Sequence, residues 1–285
     1  MKFAQIKKNG NIHLCVYENG FLYDLTQQNS PDMPHSLEEL LSSGEELIAK
    51  TANIDYLSAP SYKETDVEYA PAAPQKGKLI CIGVNYKAHV NECSEKYPTA
   101  PVLFSKYPNT HNAHNHPVYL PRISQKVDYE AELVIIIGKG GKNIPYEKAL
   151  SHVFGYTCGN DFSARDLQFA STQWLAGKTL DGFAPTGPVI VTADSLNPSS
   201  LSIELRLNGE LRQSSDTKCM IFDCAEIIHY ISEIMTLDAG DIIFTGTPSG
   251  VILGMPDDKK KWLADGDVTE VTIEGIGTLR NTIKG

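Results

Sequence analysis

The chain has 285 residues, 41% of them apolar and 21% charged, which is enough to bury a large core without a disulfide or structural-metal staple. Its net charge of −10 argues against a nucleic-acid surface, because phosphate binding needs clustered Lys and Arg. An anionic small molecule stays open as a partner, since local field and bound metal outweigh overall charge at a site.

In chain order, Ile12 to Tyr17 and Phe21 to Leu25 are apolar-rich runs around Glu18-Asn19-Gly20, a hairpin signal because Asn-Gly tolerates positive φ. Ser36-Leu37-Glu38-Glu39 resembles a capping box opening a short helix. Residues 57–77 are rich in Pro, Ala and Tyr without periodicity and read as a linker. Leu79 to Gly83 and Glu132 to Gly138 look like buried strands, Gly138 to Asn143 turns a hairpin, and Asn208-Gly209 marks another hairpin within Leu201 to Gln213. Asp223 caps a helix running to Met235, with Ile227, Ile228, Ile231, Ile234 and Met235 as its apolar face. Val268 to Ile283 alternates around Gly275 and Gly277. Many strands with few helices predict an α+β, β-rich fold rather than a doubly wound sheet, with a small N-terminal α/β domain over residues 1–70 and the main domain over 71–285.

The six cysteines (15, 81, 93, 158, 219, 224) form no Cys-x-x-Cys pair and read as reduced thiols. The start lacks the apolar stretch of a secretory signal, and the longest aliphatic run, Leu133 to Ile137, is far short of a membrane span. The expectation is a cytoplasmic protein with neither nucleic-acid nor membrane partners.

The chemistry-bearing stretch is Asp128-Tyr129-Glu130-Ala131-Glu132, ahead of an apolar run. Side chains at i and i+2 of a strand share a face, so Glu130 and Glu132 project together. Such a pair is costly beside apolar residues unless a cation or proton compensates it, and hard cations such as Mg²⁺, Mn²⁺ or Ca²⁺ take such oxygen sets. Alone, Glu-x-Glu is more often a strand end whose polar face meets solvent. Asp161, in the turn after an apolar run, is either a third acid of this set or the N-cap of the segment holding Arg165 and Gln168. His89 and Glu92, three apart, share a face if their segment is helical, and a carboxylate-oriented imidazole makes a competent base. His111, His114 and His116 lie in a polar Asn/His/Pro loop, read as solvated near the entrance of the site. There is no Gly-x-Ser-x-Gly elbow, which disfavours a serine hydrolase.

Five segments in order, Ile80 to Tyr86, Glu130-Ala131-Glu132, Asn160 to Gln168, Asn208 to Gln213 and Gly246 to Val251, resemble the fumarylacetoacetate hydrolase family over roughly residues 75–285. The resemblance implies that family's β-rich mixed-sheet roll and a homodimer. It also implies a metal triad of Glu130, Glu132 and Asp161, binding Mg²⁺ or Mn²⁺, with Ca²⁺ as a substitute in crystals. Lys178 matches the family's active-site lysine, and Arg165, Gln168 and Thr247 match substrate-contacting positions. Asn85 to Glu92 is similar to the lid segment of acylpyruvate-cleaving members, which makes His89 and Glu92 the water-activating pair. Val84 departs from the pattern, standing where many relatives carry Arg or Lys.

The expected activity is therefore metal-dependent hydrolysis of a C–C bond in an acylpyruvate-type 2,4-dioxo acid, with Lys178 steadying the oxyanion. Decarboxylation of oxaloacetate and isomerisation of unsaturated 2-oxo acids are alternatives at the same site. A non-catalytic metal- or metabolite-binding protein is the alternative from another class.

Overall fold

The computed structural model describes residues 1–27, 34–42, 55–93 and 96–285. Asn-Gly pairs close its tight hairpins. Asn9-Gly10 joins β1 (Lys2–Lys8) to β2 (Asn11–Glu18), and Asn19-Gly20 joins β2 to β3 (Phe21–Asp24). Both members of each pair hold positive φ, which a two-residue turn matched to strand twist requires. Ser36 caps the helix Leu37–Ser42, its hydroxyl accepting from the Glu39 amide at 3.1 Å.

Residues 57–77 are not the unstructured linker their composition suggests. β4 (Ser61–Lys63) pairs with β3, and β5 (Glu68–Tyr69) with β1. Strands this short show no alternation to read; distant partners impose them.

β6 (Leu79–Gly83) and β7 (Val102–Lys106) form an antiparallel pair, followed by β8 (His111–Ala113), β9 (Pro117–Tyr119) and β10 (Val127–Asp128). β11 (Ala131–Ile137) pairs with β12 (Val153–Asn160), the connection beginning at Gly138 and including the 3₁₀ segment Tyr146–His152. β13 (Ser163–Ala164), β14 (Ala184–Thr192) and the hairpin β15 (Ser202–Leu207) to β16 (Glu210–Asp216) come next. β17 (Ile242–Phe244), β18 (Val268–Ile273) and β19 (Gly277–Lys284) complete the strands.

The main sheet is 12-stranded, ordered β4-β3-β2-β1-β14-β12-β11-β17-β6-β7, with β5 on β1 and β8 on β14. The N-terminal strands thus continue the main sheet through the β1–β14 pairing. A 5-stranded sheet runs β16-β15-β18-β19-β9, and β10 pairs β13. β11 is buried along its whole length because both faces are covered. Leu133, Ile135 and Ile137 enter one core with Ile203, Leu205 and Val271 of the smaller sheet. Val134 and Ile136 enter a second core with Phe244, Cys81 and Leu37. A continuous aliphatic run is what such a strand requires.

The helix Cys224–Ile234 begins at the Asp223 cap, whose carboxylate accepts from the Glu226 amide at 2.8 Å. Its buried face differs from the sequence expectation. Ile234 is 52% exposed, and Ser232 is buried, its hydroxyl bonded to the Ile144 amide and the His229 carbonyl. Hydrophobicity marked Ile234, but the last turn of the helix has nothing packed over it on that side. No helix among the described residues is long and apolar enough to cross a membrane.

The histidine-rich loop is not a solvated entrance. His111 lies in β8 beside Ala184, His114 sets its ring edge-on to Tyr69 at 4.9 Å, and His116 meets Glu68 at 3.4 Å. Burial pushes His111 from 6.5 down to about 4; burial and the Arg280 charge do the same to His114. The unfolded chain therefore binds protons that the folded chain refuses, and stability is lost as pH falls below 6.5 toward 4. Melting temperature should drop between pH 6.5 and 5, where most carboxylates remain ionised. His111→Asn should flatten that slope whatever it does to stability at neutral pH; an unchanged slope would contradict the assignment.

Candidate active site

β6 and β17 run parallel and β11 runs antiparallel to β17 and β12. The N-terminal end of β11 therefore lies beside the C-terminal ends of β6, β12 and β17. Glu130 and Glu132 occupy that end on one face, as i, i+2 spacing requires. The turn after β12 is pinned to them: the Asp161 amide donates to the Glu130 carbonyl, and the Asn160 side chain accepts from the Glu130 amide, both at 2.9 Å. This brings Asp161 to the pair, and one carboxylate oxygen from each of the three acids lies within 4.8 Å of the others, all three residues being buried. Asp161 caps nothing. The helix Arg165–Gln168 takes Ala164 at its N-cap, and the Asp161 carboxylate faces two lysines instead.

Buried carboxylates need buried partners, because each unpaired ion costs several kcal/mol. Lys178 supplies its ammonium to Glu130 at 2.5 Å and to Asp161 at 2.8 Å. Lys106 meets the other Asp161 oxygen at 2.6 Å and donates to the Phe162 and Phe183 carbonyls. Arg165 spreads its fork over Asp128 at 2.9 Å, Gln168 at 2.9 Å and Glu130 at 2.7 Å. Glu132 receives only the Gly246 amide, at 2.7 Å, as a hydrogen-bond donor among the described residues.

Burial would raise Glu130, but Arg165 and Lys178 hold its carboxyl well below the usual carboxylate range. Glu132 goes the other way: burial, Asp161 and Glu130 push it well up. Lys178 is held up against burial by Asp161 and Glu130, while burial prevails at Lys106 and lowers it.

Above the carboxylates lies a narrow cleft. His89, Arg165, Gln168, Lys178 and Thr247 face it, and Ile82, Val84, Phe104, Phe169, Trp174 and Leu253 form its apolar wall. Gly83 lets that wall close, since a Cβ there would stand 2.5 Å from the Trp174 ring. Val84 holds φ 59°, a left-handed conformation costly for a β-branched residue and kept only where surroundings impose it. Here they do: Asn85 is stapled to Phe222 and to the Thr245 carbonyl at the end of β17.

His89 and Glu92 lie on the helix Lys87–Glu92 with Nδ1 and Oε2 3.3 Å apart. The Gly250 amide donates to both Glu92 oxygens, at 2.9 and 3.1 Å, and Gly254 leaves space that a Cβ would take from the Glu92 side chain. Burial would lower His89, but hydrogen bonds to Cys93 and Glu92 and the charge of Glu130 raise it to about 9. All nine residues singled out in the sequence thus gather at one cleft, with Glu92 and Asp161 just behind its lining.

Four contributors have no role assigned from the sequence. Lys106 and Asp128 sit at the ends of short strands, where a charged residue reads as the exit to solvent. Gln213, fully buried, accepts from the Ala131 amide and donates to Thr247 and the Pro248 carbonyl, joining three of the recurrent segments. The Gly246 amide is backbone and carries no residue signal. An all-oxygen set of three carboxylates is what hard divalent cations take, so Glu130, Glu132 and Asp161 could hold one.

Residues 78–284 match the fumarylacetoacetate hydrolase C-terminal family, and the chain belongs to it. It is 41% identical over 264 residues to an oxaloacetate tautomerase of Bacillus subtilis, covering 88% of this chain and 87% of that protein. A fumarylacetoacetate hydrolase from Exiguobacterium antarcticum superimposes with a TM-score of 0.87 at 42% identity, covering 100% of this chain and 99% of that one. A 5-carboxymethyl-2-hydroxymuconate delta-isomerase from Mycobacterium smegmatis does so with a TM-score of 0.78 at 31% identity, covering 100% and 99%.

Removing one partner of a buried ion pair costs roughly 3–5 kcal/mol. Lys106→Met should therefore lower the melting temperature of the metal-free protein sharply; a variant melting within a degree or so of wild type would mean that Asp161 does not depend on this lysine.

Proposed function

We propose that the chain interconverts the keto and enol forms of a small 2-oxo acid of the oxaloacetate type, with one divalent cation held by Glu130, Glu132 and Asp161. One observation carries the reading: a single cleft brings together a buried all-carboxylate cluster, a fixed ammonium at Lys178 and an imidazole at His89. The relatives named as a tautomerase and an isomerase favour proton relocation over bond hydrolysis.

The residues fit a hard cation such as Mg²⁺ or Mn²⁺, being oxygen donors on a common face with no thiol among them. With its four acids ionised, the cluster of Asp128, Glu130, Glu132 and Asp161 against Lys106, Arg165 and Lys178 has one uncompensated negative charge. A dication converts that deficit into one surplus positive charge, which suits a carboxylate substrate. When bound, the cation supplies Lewis-acid stabilisation to oxygen that gains negative charge.

The remaining work falls to the chain's own groups. Lys178, protonated and immobilised, offsets charge growing on the enolic oxygen. Thr247, held by Gln213 at 2.8 Å, presents a hydroxyl to the cleft. His89 moves the proton at C3, with Glu92 orienting its ring. Its raised affinity for a proton comes chiefly from Cys93 and Glu92, with the Glu130 charge a smaller cause, so neutralising Glu130 lowers that affinity only in part. The apolar wall of Phe104, Trp174 and Leu253 limits water at the reacting carbon.

Acylpyruvate hydrolysis, the leading expectation from the sequence, becomes the second reading. The 3.3 Å His89–Glu92 pair favours it, because the same base can activate water. With Mg²⁺ or Mn²⁺ present, the enzyme should speed the decay of enol-oxaloacetate absorbance, and EDTA should abolish the effect. Acceleration unchanged by EDTA would sink the cation's role; faster cleavage of acylpyruvates by the same preparation would reverse the two readings.

Lys178 touches the oxygens that a cation would use, so its removal changes metal affinity as well as turnover. Lys178→Met should bind Mg²⁺ more tightly, having lost a competing positive charge, while turnover falls on the order of 10²–10³-fold. Calorimetry showing weaker Mg²⁺ binding would assign the lysine to holding the carboxylates in place.

A further inference from the structure

Beyond the carboxylate cluster, one other group of side chains among the described residues has metal-ligating geometry. His89, Glu92 and Cys93 follow one another around a single helical turn beside the cleft, and one donor atom from each lies within 4.8 Å of the others. The spacings are specific. His89 Nδ1 lies 3.3 Å from Glu92 Oε2 and 3.8 Å from Cys93 Sγ. Zinc bonds of ~2.0–2.1 Å to N or O and ~2.3 Å to S place tetrahedral donor atoms roughly 3.3–3.6 Å apart. The two spacings from His89 therefore lie near those of a zinc tetrahedron, and the Glu92 and Cys93 donors lie within 4.8 Å of each other. Glu92 is anchored from outside by the Gly250 amide, the kind of supporting hydrogen bond that fixes a ligand's orientation.

We propose that His89, Glu92 and Cys93 form a second metal site, for a borderline cation such as Zn²⁺, whose occupation shuts down the reaction in the cleft. The donor chemistry separates the two sites: nitrogen and thiolate ligands favour Zn²⁺ or Co²⁺ over Mg²⁺, while three carboxylates suit the hard cation. On binding, the Cys93 S–H and His89 Nδ1–H bonds break, both protons leave to solvent, and Sγ–metal and Nδ1–metal bonds form with no change of oxidation state. Three protein ligands would leave a fourth position for water. A metal on His89 and Glu92 withdraws that pair from proton transfer. The inhibitory consequence rests on the role proposed for His89, whereas the site itself does not.

Co²⁺ titrated into the Mg²⁺-saturated chain reads the site without reference to activity. A near-ultraviolet thiolate-to-cobalt charge-transfer band should appear in wild type, vanish in Cys93→Ser and weaken strongly in His89→Ala. No band in wild type, or a band retained in Cys93→Ser, overturns the site. Zn²⁺ should then inhibit the Mg²⁺-saturated wild type at lower concentration than it inhibits Cys93→Ser, each compared with its own zinc-free rate. Equal sensitivity of the two would show that inhibitory zinc acts at the carboxylate cluster, and would overturn the regulatory half of the proposal.

Discussion

Two acids on one face at the start of a buried strand, with a third brought to them by the turn after its neighbour, cannot all stay ionised unless positive charge is buried with them. That electrostatic demand organises this end of the molecule. Arg165 and Lys178 answer Glu130, and Lys106 and Lys178 answer Asp161, whereas Glu132 has no ammonium or guanidinium within ion-pair distance among the described residues. The uncompensated group is thus Glu132, where the three carboxylates converge, and burial with Asp161 and Glu130 pushes its carboxyl well up. Replacing such a network by apolar residues would often be neutral or stabilising for the fold alone, so its presence at a cleft points to use rather than to stability.

The architecture serves that cluster by adjacency in the sheet rather than in the chain. β6, β17, β11 and β12 are neighbours, so the loops after Gly83, Phe244 and Asn160 meet the start of β11 although they are far apart in sequence. Buried amides lock the meeting point. Asn85 ties the turn after β6 to the end of β17 and to Phe222, and Gln213 ties the smaller sheet to β11 and to Thr247. Both side chains are fully buried, and their hydrogen bonds satisfy backbone groups that no strand ladder reaches. Cutting either amide would disturb the site from a distance.

How much of this was legible depended on whether a signal was local. Glu130 and Glu132 could be paired from strand periodicity, and the Asn-Gly hairpins and the Asp223 cap from turn and capping chemistry. Asp161 was ambiguous by propensity, since an N-cap and a buried acid look alike until the helix is seen to start at Arg165. Lys106 was invisible because a lysine ending an apolar strand is usually solvated, and only the folded chain shows its side chain reaching Asp161. β4 and β5 are too short to carry a pattern, and Ile234 was assigned inward because periodicity cannot reveal that a helix end lacks a neighbour. The reaction was the least legible property. Enol chemistry and hydrolysis draw on the same cation, lysine and histidine, so residue identity alone does not choose between them.

The chemistry proposed for the cleft turns on one cation binding at the convergence of Glu130, Glu132 and Asp161. Its most direct test is anomalous diffraction from a crystal grown with Mn²⁺ and oxalate, a stable mimic of an enolised 2-oxo acid. The account requires a single strong peak bounded by one oxygen from each carboxylate at ~2.1 Å, with oxalate completing the coordination beside Lys178. Mn²⁺ density elsewhere, with these three side chains diverging and still paired only with Lys106, Lys178 and Arg165, would contradict it.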